Sequence, residues 1–183
     1  MSLPHALLTA LLERPSAGLE LARRFERSIG FFWHATHQQI YRELRRLEQA
    51  GWVEALPAED GRGRKKVYRV LPAGREELRR WVEESQDPRP LRDALMLRLR
   101  AEAIVGPTSL PAEIRRHLVL HRQRLALYEE IDARDFPPEK TSRQARLRRL
   151  VLQAGIEHER RWIAWCEQAL ALFEELEQAG DQD

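Results

Sequence analysis

The most constraining feature of the sequence is a glycine-containing basic segment, Pro57 to Lys65, between two segments that favour strands. Trp52 to Leu56 precedes it and Lys66 to Leu71 follows it. Two such segments joined by a glycine-containing loop form a hairpin. The spacing of apolar residues predicts three helices before this hairpin and one after it. Because that order is typical of a winged helix-turn-helix, we predict this fold for residues 1–85.

The four helices of this first domain are predicted from local signals. Leucine spacing predicts a helix from Leu3 to Leu12, and Ser16 is expected to cap a second helix that runs to Arg27. The third helix is predicted from about His34 to Ala50, with Ile40, Leu44 and Leu47 facing inward. Pro72 is expected in the first turn of the fourth. Each carries its apolar residues on one face, which is typical of helices around a common core.

The second half of the chain, residues 86–183, is predicted to be a separate, entirely helical domain after a proline-containing linker. Its last helix, from about Glu139 to Gln178, would be about 60 Å long at roughly 1.5 Å per residue. A single chain of this size cannot cover so long an apolar stripe, so we expect a homodimer; a helix covered by its own domain is the alternative. The predicted interface residues are Trp162, Trp165, Ala169, Leu172 and Leu176.

The third predicted helix has a polar face opposite its apolar residues. Glutamine can pair with adenine and arginine with guanine, and a helix fits the major groove of B-DNA. A solvated polar face is the alternative. The candidate DNA-binding residues here are His34, Thr36, His37, Gln38, Gln39, Tyr41, Arg42 and Arg45.

The hairpin supplies a second basic element. The segment from Gly61 to Arg69 contains five basic and no acidic residues. An extended basic loop can cross a phosphate backbone or enter a minor groove, although a merely solvated loop is the alternative. Residues 1–85 carry 15 basic and 12 acidic side chains, against 16 and 17 in residues 86–183. The candidate DNA-binding residues of the hairpin are Arg62, Arg64, Lys65 and Lys66.

Other classes of protein find little support. The one cysteine, Cys166, excludes an internal disulfide framework, and its place on the apolar stripe indicates packing rather than redox sensing. His117 and His121 have metal-ligand spacing, but a polar helix face is the favoured interpretation. We therefore predict no enzyme activity, metal or cofactor. Since no signal peptide or membrane-spanning run is present, we expect a cytoplasmic protein without a membrane partner.

Three segments resemble the PadR family of bacterial transcriptional regulators. Gly30 to Glu48 looks like the family's signature helix, and Ser16 to Leu21 resembles the opening of its second helix. Gly155 to Trp165 is similar to the branch with a long C-terminal domain, the phenolic-acid-repressor type. The resemblance implies a homodimeric repressor whose third helix enters the major groove and whose wing contacts the flanking backbone. It also implies a small aromatic or multidrug-like effector, for which the sequence assigns no residues.

The sequence thus predicts a regulator that binds double-stranded DNA at a pseudo-palindromic operator and releases it when an effector binds. The alternative is a winged helix used as a protein–protein interaction module without specific DNA binding. Loss of the basic wing residues should weaken binding only in the first case.

Overall fold

The computed structural model describes residues 3–26, 35–57, 66–88, 90–139 and 142–180. The chain divides into two compact units, Met1–Pro88 and Arg89–Asp183. The first unit contains α1 (Leu3–Glu13), β1 (Ser16–Ala17), α2 (Gly18–Glu26), α3 (His37–Gln49), β2 (Val53–Pro57), β3 (Lys66–Val70) and α4 (Pro72–Glu83). The second contains α5 (Ala94–Val105), α6 (Leu110–Asp135) and α7 (Arg143–Gly180). The predicted fold class, a winged helix-turn-helix followed by a helical unit, is confirmed.

The sheet of the first unit has one more strand than the sequence predicted. Its order is β1-β3-β2 with antiparallel neighbours, and Tyr68 in the central strand lies opposite both Ser16 and Ala55. Ser16 therefore belongs to β1 and does not cap the second helix, which begins at Gly18. Its hydroxyl donates to the carbonyl of Arg14 and accepts from Arg24 instead. A two-residue strand leaves no periodic pattern, so local signals missed it.

Helix α3 is held in place at both ends and along its inner face. Thr36 caps it: the Gln39 amide donates to the threonine hydroxyl at 3.2 Å, and the Thr36 amide donates to the Gln39 side chain at 2.8 Å. Beyond Ala50, Gly51 takes a φ of 68°, a conformation that favours glycine and ends the helix. The predicted inner residues of α3 are buried in the core of the unit: Ile40, Leu44 and Leu47.

A polar contact joins the first turn of α1 to α4. The His5 ring stacks on Trp81, with 4.5 Å between ring centroids, and its Nε2 lies 3.0 Å from Glu77 Oε1. Arg80 donates two hydrogen bonds to the same carboxylate at 2.7 and 2.8 Å. Arg80 and, to a smaller degree, His5 lower the pKa of Glu77 to about 2.

This contact predicts a pH-dependent stability. A carboxylate with a lowered pKa stabilises the fold above its ordinary pKa near 4.5, and loses that effect as the pH falls towards 2. We expect Glu77→Gln to lower the free energy of unfolding at pH 7. The difference in this free energy between the variant and the unchanged protein should disappear as the pH falls from about 4.5 to about 2. Urea unfolding at a series of pH values measures it. Glu76→Gln, which breaks an exposed pair with Arg79, is the matched control and should change little. A difference in unfolding free energy that stays constant with pH would contradict the lowered pKa of Glu77.

In the second unit α6 and α7 run antiparallel along each other. Ion pairs join Asp132 to Arg149, Glu129 to Arg160 and Arg122 to Glu167. Residue numbers therefore decrease along α6 in the direction in which they increase along α7. The apolar residues buried between α5, α6 and α7 are Leu95, Leu110, Ile114, Leu118, Cys166 and Ala169. Within the described ranges, no helix combines the length and hydrophobicity that crossing a membrane requires.

Candidate nucleic-acid interface

The outer face of α3 presents the residues that the sequence selected. Thr36, Gln38, Gln39, Tyr41, Arg42 and Arg45 are exposed, and His37 is half-buried. Thr36 and Gln39 bond each other in the capping box, so they hold the start of the helix in place. The predicted residues His34, Arg62, Arg64 and Lys65 lie outside the described residues. These assignments to DNA stay predictions.

The charges on this face are available for a ligand. In the described part of the chain, neither Arg42 nor Arg45 lies within ion-pair distance of a carboxylate. On α4, by contrast, two of the three arginines are engaged: Arg79 pairs with Glu76, and Arg80 pairs with Glu77 and Glu84. Since an unpaired guanidinium can bind a phosphate or a guanine edge without first giving up a partner, the α3 face is the better anion-binding surface.

The basic residues of β3 differ from each other. Lys66 is exposed, and its Nζ lies at a long 4.0 Å from Glu48. Arg69 donates to Glu54 of the neighbouring strand at 2.5 and 2.8 Å, and the two residues lie directly opposite in the sheet. Among the described residues, Lys66 is therefore held only by this one long ion pair, whereas Arg69 is engaged in two short hydrogen bonds that stabilise the hairpin.

A close contact links α2 to the exposed face of α3. The Tyr41 ring lies against Gly18, where a Cβ would come within 2.5 Å of Tyr41 Cε1. Any residue other than glycine at position 18 would displace this ring. The contact therefore sets the position of Tyr41 relative to the start of α2.

The predicted interface residues of α7 divide into two groups. Trp162 stacks on His121 and contacts Trp165 edge to face, and Ala169 is buried in the core of its own unit. Leu172 and Leu176, in contrast, are 49% and 59% exposed. Among the predicted set, these two leucines are the most accessible to a partner.

The sequence missed two features of the second unit. His121, interpreted as part of a polar face, is buried; its Nδ1 lies 2.5 Å from Glu159 Oε2, and Glu159 is only 3% exposed. On α5, the apolar side chains of Leu97, Ile104 and Val105 are open to solvent. The available signal was that the apolar residues of α5 are not confined to one side of the helix.

The remaining chemical candidates give no catalytic geometry. Cys166 is fully buried, and burial, together with Glu167, raises the pKa of its thiol. Among the residues that the structure describes, no three His, Cys, Asp or Glu side chains are arranged to hold a metal ion. His117 and His121 have ring centroids 6.2 Å apart, and each lies beside a carboxylate, Glu113 and Glu159.

Comparison with known proteins identifies the family. Residues 7–80 match the model of the transcriptional regulator PadR-like family, and residues 91–174 match that of the virulence activator alpha C-terminal region. The probable transcriptional regulator Rv1176c of Mycobacterium tuberculosis is 38% identical over 187 residues, 96% of this chain and 99% of that protein. The chain belongs to the PadR family of transcriptional regulators. The resemblance seen in the sequence is confirmed, and this PadR-family protein is a DNA-binding transcriptional regulator.

Solved structures agree over nearly the whole chain. The virulence activator AphA of Vibrio cholerae superposes with a TM-score of 0.82 at 31% identity, covering 96% of this chain and 99% of that one. Bacillus subtilis PadR in complex with operator DNA gives 0.81 at 25% identity, covering 94% and 99%. A structure of the same protein in complex with p-coumaric acid gives 0.78 at 24% identity, covering 95% and 99%, which is a likeness of fold.

Proposed function

We propose that this PadR-family regulator is a dimeric repressor that acts in the cytoplasm, binds a pseudo-palindromic operator and releases it when a small aromatic ligand binds. Residues 1–85 would bind DNA, and residues 86–183 would form the dimer and take the ligand. One observation carries the proposal: Arg42 and Arg45, which have no ion-pair partner among the described residues, lie on the exposed face of a capped helix in a winged helix-turn-helix.

The helix α3 would enter the major groove with its N-terminal part towards the bases. Gln38 and Arg42 lie one turn apart on its exposed face, where glutamine can pair with adenine and arginine with guanine. The capping box fixes the direction in which these side chains project, because it holds the first turn. Affinity would come mainly from basic residues on phosphates, and specificity from the bases. Binding of operator DNA by this chain is supported by the structure of Bacillus subtilis PadR in complex with operator DNA.

A dimer would bring two such helices to successive major grooves. A pseudo-palindrome with half-sites about 34–36 Å apart, one turn of DNA, then follows from the two-fold symmetry. Exposed apolar side chains on α5 and α7 support association with a second copy, since a surface of this kind is normally covered in solution. The most exposed of them is Ile104, at 83%. The others on these helices include Leu97, Val105, Leu172 and Leu176.

The ligand class is proposed from a relative and from aromatic residues of the second unit. Bacillus subtilis PadR has been crystallised with p-coumaric acid, an aromatic carboxylic acid. In this chain an aromatic cluster on α6 and α7 surrounds Trp162, which stacks on His121 and packs edge to face with His158 and Trp165. The ligand would release DNA by favouring a dimer whose helix spacing no longer fits two grooves, which requires different affinities for the two states.

Footprinting on DNA upstream of the protein's own gene tests the proposal. We expect two protected half-sites one helical turn apart, and loss of protection when an aromatic carboxylate such as p-coumaric acid is added. A panel of such acids, with their non-aromatic analogues as controls, separates a specific ligand from an effect of ionic strength. Protection that persists with every ligand would contradict the release step alone. No protected site on any upstream DNA would contradict the repressor and favour a protein-interaction module.

A further inference from the structure

A buried pair of titratable side chains joins α6 to α7 in the second unit. Nδ1 of His121 on α6 lies 2.5 Å from Oε2 of Glu159 on α7. His121 is 9% exposed and Glu159 is 3% exposed, so water reaches neither side chain freely. A buried charge is costly unless an opposite charge or a hydrogen bond compensates it. The charge state that each of these side chains can hold therefore depends on the other.

The other ion pairs between α6 and α7 are of a different kind. In each of them a solvent-accessible arginine supplies the cation, and an arginine keeps its charge at any pH at which proteins stay folded. These pairs are Arg122 with Glu167, Arg149 with Asp132 and Arg160 with Glu129. A histidine, in contrast, can lose its charge near neutral pH. In the described part of the unit, His121 is thus the cation of an α6–α7 ion pair that can respond to pH.

His117, one turn before His121 on α6, belongs to a separate set of charges. The two ring centroids are 6.2 Å apart, and Nε2 of His117 lies 3.3 Å from Glu113. Arg116 donates two hydrogen bonds to Glu113 at 2.8 Å, and Arg98 of α5 lies 3.9 Å from it. Arg116 and, more weakly, His117 lower the pKa of Glu113 to about 2, so this carboxylate stays ionised. Glu113 is therefore engaged by these groups, and the anion at ion-pair distance from His121 is Glu159.

The groups that surround the pair on α6 and α7 are mainly aromatic. Trp162 stacks on the His121 ring with 5.5 Å between centroids, and the His158 ring lies edge to face with Trp162 at 6.5 Å. Burial and, more weakly, Glu159 raise the pKa of Tyr128, so its phenol is neutral near physiological pH. Within the described ranges, His121 is the cation at ion-pair distance from Glu159. Because Trp162 lies on the His121 ring, the pair also helps to hold the aromatic cluster of α7.

We propose that His121 and Glu159 form a pH-sensitive switch that controls how tightly α6 packs on α7. The switch is closed when an imidazolium faces a carboxylate, because the buried pair then has no net charge. When His121 loses its proton at higher pH, the buried carboxylate keeps a hydrogen bond but has no cation. When Glu159 is protonated at lower pH, the buried imidazolium has no anion. Either step leaves one uncompensated buried charge, which opens the contact.

The direction of the pH dependence follows from the two side chains. The stability that an imidazolium contributes is present at low pH and is lost as the pH rises, whereas that of a carboxylate is present at high pH and is lost as the pH falls. The two ions occur together between about pH 4 and about pH 7. We therefore expect the packing of α6 on α7 to be most stable in mildly acidic solution and looser at alkaline pH. The switch concerns the second unit alone, so it goes beyond the proposed function.

Hydrogen exchange of the full chain measures the switch. Glu159→Gln should speed exchange of the α6 and α7 amides at least about tenfold at about pH 6, relative to the unchanged protein at the same pH. At about pH 8.5 the effect should fall below about threefold, because the contact is already open in the unchanged protein. Comparing the two proteins at one pH cancels the effect of pH on the intrinsic exchange rate. Equal effects of Glu159→Gln at the two pH values would overturn the proposal.

The matched control breaks an exposed pair between the same two helices. Glu167→Gln removes the partner of Arg122, whose charge does not change between the two pH values. Because both side chains are about half exposed, exchange in α6 and α7 should change less than about threefold at either pH. If Glu167→Gln reproduced the pH-dependent effect of Glu159→Gln, the general charge of the helices and not the buried pair would be responsible, and the proposal would fail.

A second measurement follows the His121 ring in the unchanged protein, so it does not depend on how well a variant folds. NMR of the chain with ¹³C-labelled histidine reports the protonation of each ring, and the signal missing from His121→Gln identifies this one. The ring should lose its proton over the same pH interval in which exchange of α6 and α7 speeds up relative to the intrinsic rate. In Glu159→Gln it should take up the proton only at lower pH, because the buried imidazolium has lost its anion.

The outcomes of this titration separate the switch from the proposed function. A His121 ring that stays in one protonation state from about pH 5 to about pH 9, or that titrates alike with and without the Glu159 carboxylate, would overturn the proposal. Neither measurement uses DNA or a ligand. A failure of the switch therefore leaves the repressor proposal standing, and a failure to bind operator DNA leaves the switch standing.

Discussion

Replacing Arg42 and Arg45 together with alanine is expected to weaken operator binding about a thousandfold. Each arginine lost from a base edge or phosphate costs about 1–3 kcal/mol, and a dimer loses four of them. Both side chains are exposed and, in the described part of the chain, free of ion pairs, so the free energy of unfolding should stay nearly unchanged. Fluorescence anisotropy with labelled operator gives the affinity, and urea unfolding gives the stability.

The control for this variant removes the same charge elsewhere. Arg75→Ala combined with Arg79→Ala takes two arginines from α4 and lowers the net charge equally. It should weaken binding less than about threefold, because distant exposed charges are screened by salt. Similar losses in the two double variants would mean that net charge, and not the α3 face, determines the affinity.

The second large effect is expected at the proposed dimer surface. Leu172→Glu combined with Leu176→Glu should give a particle of 21.5 kDa, the mass of one chain, and reduce operator affinity by about a hundredfold to ten-thousandfold. The dimer should dissociate because burying unpaired carboxylates between two copies is costly. Affinity should fall because two separate chains bind the two half-sites independently, without the gain that a linked pair obtains from its second contact. Light scattering after gel filtration measures the mass, and anisotropy measures the affinity.

A conservative variant at the same positions completes this test. Leu172→Met combined with Leu176→Met keeps apolar side chains of similar volume, so we expect a particle of unchanged mass and operator affinity within about threefold. Because both leucines are about half exposed in the single chain, neither change should unfold it. If the glutamate variant keeps the mass of a dimer, the interface does not include this part of α7.

The sequence predicted the features that depend on local pattern. The apolar spacing of Ile40, Leu44 and Leu47 predicted the buried side of α3 and thereby its exposed side. Pro72 indicated the start of α4, where it occupies the first turn. Each of these signals involves residues only a few positions apart, so it is visible in the sequence itself.

The features that the sequence did not predict involve distant residues. Strand β1 exists because Ser16 pairs with Tyr68, and the buried contact of His121 requires Glu159, 38 residues later. Likewise, a cleft in the first unit is lined by side chains of α2, α3 and β3, which only the folded chain brings together. The apolar periodicity of the last helix also selected Ala169 as a dimer residue, whereas Ala169 is buried in the core of its own unit. A wide apolar stripe does not distinguish the part that packs within one chain from the part that could contact a second chain.

A salt series of operator binding tests the central claim most directly. Anisotropy is measured for the unchanged protein and for a variant with Arg62, Arg64, Lys65 and Lys66 replaced by alanine. The account predicts a dissociation constant of about 10⁻⁸ M or lower, a steep salt slope, and a flatter slope in the variant as phosphate contacts are lost. Weak binding that changes with neither salt nor the wing charges would contradict it.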